Sequence, residues 1–152
     1  MFFKSKKKEV KKELLYRENI RVNCKPASQE EVIREVGQML VDSGYVDTPY
    51  VDGMLEREKS FSTFMGNGLA LPHGVEAAKK EIKASGIAVM TFPEGIDWAG
   101  NTVNVVIGIA GVGEEHLNIL SQIAEKMLDN TAAARLVTGS VDEVYDILSG
   151  KE

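Results

Sequence analysis

The run M-G-N-G-L-A-L-P-H-G at residues 65–74 sets His73, one of only two histidines in the chain, between a proline and a glycine at the end of a short apolar stretch. A neutral imidazole nitrogen is a nucleophile near pH 7, able to accept a group and pass it on. Gly66 and Gly68 allow backbone geometry closed to other residues, Leu69 to Leu71 read as a short buried strand, and Pro72 stiffens the exit from it. Gly74 is expected to remove the side chain that would shield the far side of the imidazole. The pattern predicts a rigidly mounted, open histidine of the kind a large partner can reach. A loop histidine with no chemical task is the competing reading, and the surrounding glycines and proline weigh against it.

The second histidine, His116, falls in the first turn of a helix expected over 114–128. Free backbone N–H groups and the helix dipole there favour a neutral imidazole that can donate to an anion. The plainer alternative is a partly exposed helix residue. His73 and His116 show no HxxxH or HxH spacing, and no cysteine or aspartate cluster accompanies them. A metal site is not expected, and neither is a nucleotide or other cofactor.

These residues need a scaffold. Residues 18–24 alternate as a strand, and Ser28 opens S-Q-E-E, a capping box for a helix carrying Val32, Ile33, Val36, Met39 and Leu40 that Gly44 stops. Thr48 and Pro49 read as the cap and first turn of a second helix ending near Lys59. FSTFM, GLAL, 85–92 and 101–110 read as strands, the last two apolar enough to be covered on both faces, with PEGIDWAGN as a hairpin-type connection. The 114–128 helix is expected to bury Leu117, Leu120, Ile123, Ala124 and Met127. A short helix at 131–138 follows, and a last one runs from Ser140 to Gly150. The fold expected is a single α/β domain: a mixed, mostly parallel sheet of about five strands with helices on both faces.

Charge limits the partners. The first twelve residues hold six lysines and one glutamate, a net +5 on a chain of net −5, leaving −10 on the remaining 140. An acidic body of this kind repels nucleic-acid phosphates, so nucleic acid is not an expected partner. The basic start lacks the apolar segment of a secretory signal, and no stretch approaches a spanning helix, so a cytoplasmic protein without membrane insertion is expected. Residues 1–12 read as a flexible tail and 13–152 as the domain. Cys24, the single cysteine, reads as a small packed residue.

From Glu58 to Gly74 the sequence E-x6-M-G-N-G-L-A-L-P-H-G resembles the phosphorylation-site signature of the mannitol/fructose class of IIA proteins (EIIA type 2) of the bacterial sugar phosphotransferase system (PTS). ENI, SQEEVIREVGQMLVDSGYV, YVDGMLEREKSF, FPEGIDWAGN, VIGIAGVGEEHLNIL and SVDEVYDIL look like mannitol-type members in the same order, so the likeness spans about residues 18–150.

The resemblance implies a phosphotransferase in which His73 takes a phosphoryl group from the phosphocarrier HPr and gives it to a cysteine of the IIB domain of a membrane sugar permease. It implies that Arg57 and His116 stabilise the phosphate; a guanidinium fork suits phosphate oxygens, although a surface arginine in an alternating charge run is the plainer reading of Arg57. Met54 and Leu69, expected near His73, would offer apolar contact to HPr. Glu114 stands where such proteins commonly carry Asn, and a carboxylate beside a phosphohistidine costs Coulomb energy unless it faces solvent. A regulatory, nitrogen-type IIA-like protein acting through phosphorylation-dependent binding is the alternative. The matches around MLEREKSF and FPEGIDW favour the transport type.

Overall fold

The computed structural model describes residues 12–150. Five strands, β1 (Ile20–Arg21), β2 (Phe64–Gly66), β3 (Leu69–Ala70), β4 (Gly86–Trp98) and β5 (Asn101–Ala110), form one sheet in the order β1-β4-β5-β3-β2. The β1–β4 and β3–β5 ladders are parallel, while β4–β5 and β2–β3 are antiparallel. A mixed sheet of five strands between helices is what the sequence predicts, with parallel and antiparallel ladders even in number.

Side chains of β4 and β5 alternate between two cores, and this explains why both strands read as unbroken apolar runs. Ala88, Met90, Val106 and Ala110 face α1 (Gln29–Asp42) and α2 (Pro49–Ser60), where they meet Val36, Leu40, Tyr50 and Met54. Ile87, Val89, Val105, Ile107 and Ile109 face α3 (Glu115–Met127), α4 (Asn130–Thr138) and α5 (Val141–Ser149), meeting Ile119, Ile123, Leu136 and Val144.

Local chemistry sets the helix ends. Ser28 and Ser140 each close a complete capping box, with Glu31 and Glu143 reaching back. Thr48 departs from its expected role: it adopts helical dihedrals and its side chain makes no cap bond, so α2 starts on Pro49 without a hydroxyl cap. Three further expectations are corrected. The strand expected over 18–24 is paired in regular form only at Ile20–Arg21, because Arg17–Asn19 is a 3₁₀ turn and Asn23 takes a positive φ of 56°. PEGIDW belongs to β4 itself, with a register shift between Thr91 and Ile96, and the turn is confined to Ala99 and Gly100, both at positive φ. In α3 the buried stripe is Ile119, Ile123 and Met127, leaving Leu117 65% exposed. Both stripes satisfy helical spacing; packing of α3 into the second core selects one of them. Cys24 is half-buried against the first core, with its thiol pushed up by burial. The basic segment, apart from Lys12, lies outside the described residues.

Candidate active site

His73 follows β3 by three residues and continues its direction, forming an isolated parallel bridge to Ile109 of β5. The hairpin before it turns at Gly66, Asn67 and Gly68, all at positive φ, and this returns the chain into the sheet as Leu69–Ala70. Pro72 is anchored by its carbonyl, which accepts Ile109 N–H at 2.9 Å. After His73 the chain is tied to α2: Gly74 N–H donates to the Tyr50 hydroxyl at 2.9 Å, and Val75 N–H donates to Gly53 O at 3.2 Å. The imidazole is thus held on both sides by backbone bonds to two different layers.

Gly74 has a steric purpose that depends on a residue distant in sequence. A Cβ there would lie 2.6 Å from the Tyr50 ring, so glycine is needed to let this buried tyrosine pack against the chain.

His73 Nδ1 lies 2.8 Å from the carbonyl oxygen of Leu71. A carbonyl only accepts, so Nδ1 carries the proton and Nε2, across the ring, keeps its lone pair. Burial pushes the His73 pKa below its ordinary value; the Leu71 bond opposes this, the charges of Arg57 and Lys79 add to it, and Glu58 opposes it. The ring is neutral at pH 7 and presents one nucleophilic nitrogen.

The second histidine is brought beside the first. The rings of His73 and His116 have centroids 5.1 Å apart and planes inclined by 58°. His116 sits in the first turn of α3, and the backbone reaches it tightly, since a Cβ on Gly111 would lie 2.4 Å from His116 Cα. Burial, then the neighbouring His73 and Lys79, lower its pKa to about 4, so it too is neutral at pH 7. Glu114, the N-cap position of α3, is exposed and makes no side-chain cap bond.

Arg57, in the last turn of α2, donates from Nη1 to Phe61 O at 2.9 Å, and its guanidinium lies 5.1 Å from the Phe61 ring centroid. Its charge reaches His73, as the lowered pKa records, while this one N–H is committed to the helix end.

Several neighbours were not apparent from sequence. Lys79, in the 3₁₀ segment Glu76–Glu81, places a second positive charge within reach of both histidines. Glu58 is a hub: its carboxylate accepts from Thr63 N (2.7 Å), Thr63 Oγ1 (2.8 Å), Trp98 Nε1 (2.9 Å) and Gln29 Nε2 (3.2 Å). Thr63 O in turn accepts Leu71 N–H at 3.1 Å, so Glu58 braces the strand that leads to His73. Its place at the head of the motif was the only signal for it. Met54 and Leu69, expected as partner contacts, are 0% and 1% exposed and belong to the cores. The exposed apolar side chains nearby are Phe61, beside Arg57, and Val112 and Leu117, which flank His116 in sequence. Among the described residues, no group of three His, Cys, Asp or Glu side chains could hold a metal ion.

Two neutral imidazoles in contact, one with a fixed tautomer, lie under the field of two cations, an arrangement chemically able to receive a transferring group that is itself negatively charged. Comparison with known proteins points the same way. The family model described as phosphoenolpyruvate-dependent sugar phosphotransferase system, EIIA 2, matches residues 13–151. The mannitol-specific phosphotransferase enzyme IIA component of Bacillus subtilis is 46% identical over 132 residues, covering 86% of this chain and 92% of that protein. The fold matches IIA mannitol of Escherichia coli in its crystal structure with a TM-score of 0.79 and 38% identity, covering 86% of this chain and 96% of that one. It also matches a chain from the Escherichia coli complex of enzyme IIA mannitol with phosphorylated enzyme IIB mannitol, with a TM-score of 0.82 and 37% identity over 88% of this chain and 95% of that one.

Proposed function

The chain belongs to the EIIA type 2 family of the phosphoenolpyruvate-dependent sugar phosphotransferase system, and from that premise we propose that Nε2 of His73 is the atom that carries the phosphoryl group between HPr and the IIB domain of a sugar permease. The observation that carries this reading is the Nδ1–H bond to Leu71 O at 2.8 Å, which leaves Nε2 unprotonated in a half-buried ring beside His116.

In the first step the Nε2 lone pair forms a bond to phosphorus as the P–N bond of phospho-HPr breaks, and the electron pair returns to the donor's imidazole. Positive charge that builds on the His73 ring is met at Nδ1–H by the Leu71 carbonyl, so no proton has to leave. Arg57 and Lys79 offset the charge spread over the phosphoryl oxygens, and neutral His116 donates to one of them. In the second step a cysteine thiolate of IIB forms the S–P bond, the N–P bond breaks, and His73 regains its lone pair. Each imidazole thus ends as it began.

The relatives described above carry the mannitol-specific name, which supports a mannitol-type IIB as acceptor and polyol uptake as the process served. The regulatory alternative has less support. No helix among the described residues is long and apolar enough to cross a membrane, which fits a cytoplasmic carrier meeting cytoplasmic partners. The test is labelling from phosphoenolpyruvate through enzyme I and HPr. The chain should gain one acid-labile phosphate, and His73→Ala should gain none; equal labelling of that variant would end the proposal.

A further inference from the structure

We propose that Tyr50 is a positioning residue for His73, its hydroxyl inserted into a rung of the sheet so as to fix the peptide that carries the imidazole. This rests on His73 as the phosphoryl acceptor. In a parallel bridge one strand's residue is held by two bonds, one to the residue before its partner and one from the residue after it. For His73 and Ile109 the first is direct, Ile109 N–H to Pro72 O at 2.9 Å. The second runs through Tyr50: Gly74 N–H donates to the phenolic oxygen at 2.9 Å, and that hydroxyl donates to Ile109 O at 2.8 Å.

The interposed hydroxyl holds the chain at His73–Gly74 away from β5 just where the imidazole leaves the sheet and folds back on Leu71 O. The tyrosine can be a rigid spacer because it is 2% exposed, and because Gly74, lacking a Cβ, lets the ring pack directly against the chain. Burial also pushes its pKa up to about 12, so the hydroxyl keeps the proton it must donate. The bonds of the hydroxyl are to backbone groups, Gly74 N–H and Ile109 O, so Tyr50 acts through the backbone.

Tyr50→Phe keeps the ring and removes only the spacer, so Gly74 N–H and Ile109 O can close on each other and draw the His73 peptide toward β5. Tyr45→Phe is the control, since it removes another buried tyrosine hydroxyl bonded to a backbone carbonyl, that of Glu13. Histidine-¹⁵N spectra of the two variants are compared with the unmodified protein, together with their rates of labelling by phospho-HPr. Expected for Tyr50→Phe are shifted His73 ring-nitrogen signals, with a mixed tautomer in place of Nδ1–H alone, and labelling at least tenfold slower; Tyr45→Phe should show neither. In the unmodified protein, a slowly exchanging Tyr50 hydroxyl proton with a nuclear Overhauser contact to the Gly74 amide is expected, a readout independent of whether the variant folds. Unchanged ring signals, a rate loss no greater than that of Tyr45→Phe, or absence of the hydroxyl contact would overturn the proposal. If His73→Ala were still phosphorylated, the acceptor assignment would fail while the ring-nitrogen comparison still decided the place of Tyr50.

Discussion

The imidazoles of His73 and His116 lie 5.1 Å apart at an interplanar angle of 58°, on two elements separated by more than forty residues of chain. Both are pushed toward the neutral form, chiefly by burial. Neutrality suits each of the two proposed tasks: His73 would need a lone pair to attack phosphorus, and His116 an N–H to give to a phosphoryl oxygen. On that proposal the pair is asymmetric in function although alike in chemistry.

That asymmetry is testable. His116→Ala should still be labelled by phospho-HPr, because the nucleophile is intact, but its single-turnover transfer to IIB should slow by about 10- to 100-fold. A full transfer rate would remove His116 from the site.

The depressed pKa of His116 also makes a stability statement. The proton binds more strongly to the unfolded chain, whose imidazole titrates near 6.5, than to the folded one, where the value is about 4. The stabilisation is therefore complete above pH 6.5 and is lost as pH falls through the interval down to about 4. Urea unfolding at a series of pH values across that interval should show stability declining on acidification, and His116→Asn should decline less steeply. Identical slopes would mean that the histidine is not held neutral.

Glu58 carries a structural prediction. Removing its carboxylate in Glu58→Ala leaves Thr63 N–H and the indole N–H of the fully buried Trp98 without their acceptor. Each such orphaned group costs about 1–3 kcal/mol, so an unfolding free energy lower by about 2–4 kcal/mol is expected in chemical denaturation. Trp98 fluorescence, read in the native state, should shift as well. A loss within about 0.5 kcal/mol would contradict the bracing role.

On the surface, Leu117 is 65% exposed one residue beyond His116. As part of an apolar docking face, Leu117→Asp should leave thermal stability nearly unchanged while raising the KM for phospho-HPr several-fold. An unchanged KM would place the docking face elsewhere.

How much of this was legible in sequence depends on how local each cause is. The capping boxes at Ser28 and Ser140 are each written in four consecutive residues, S-Q-E-E and S-V-D-E, and both form. Thr48 offered a cap hydroxyl before a proline, without the glutamate of a box, and took helical dihedrals instead; there Tyr50 N–H donates to Asp47 O and Val51 N–H to Thr48 O. In α3 the sequence contains two overlapping apolar stripes, and only packing on the sheet shows that Ile119 rather than Leu117 is inside. At the site, His73 was marked by its own neighbours in the chain. Tyr50 and Lys79 were not, since their relation to the histidines comes from how α2 and the 3₁₀ segment settle on the end of β3. The packing of Gly74 on Tyr50 is likewise hidden from local sequence, because the ring it accommodates lies 24 residues earlier.

The most direct test of the central claim is nitrogen–phosphorus coupling in the ¹⁵N-histidine-labelled protein after phosphorylation by phospho-HPr. One coupled resonance is expected, at Nε2 of His73, with Nδ1 still protonated. Coupling at Nδ1, at His116, or at no histidine in a protein that nonetheless carries phosphate would contradict it.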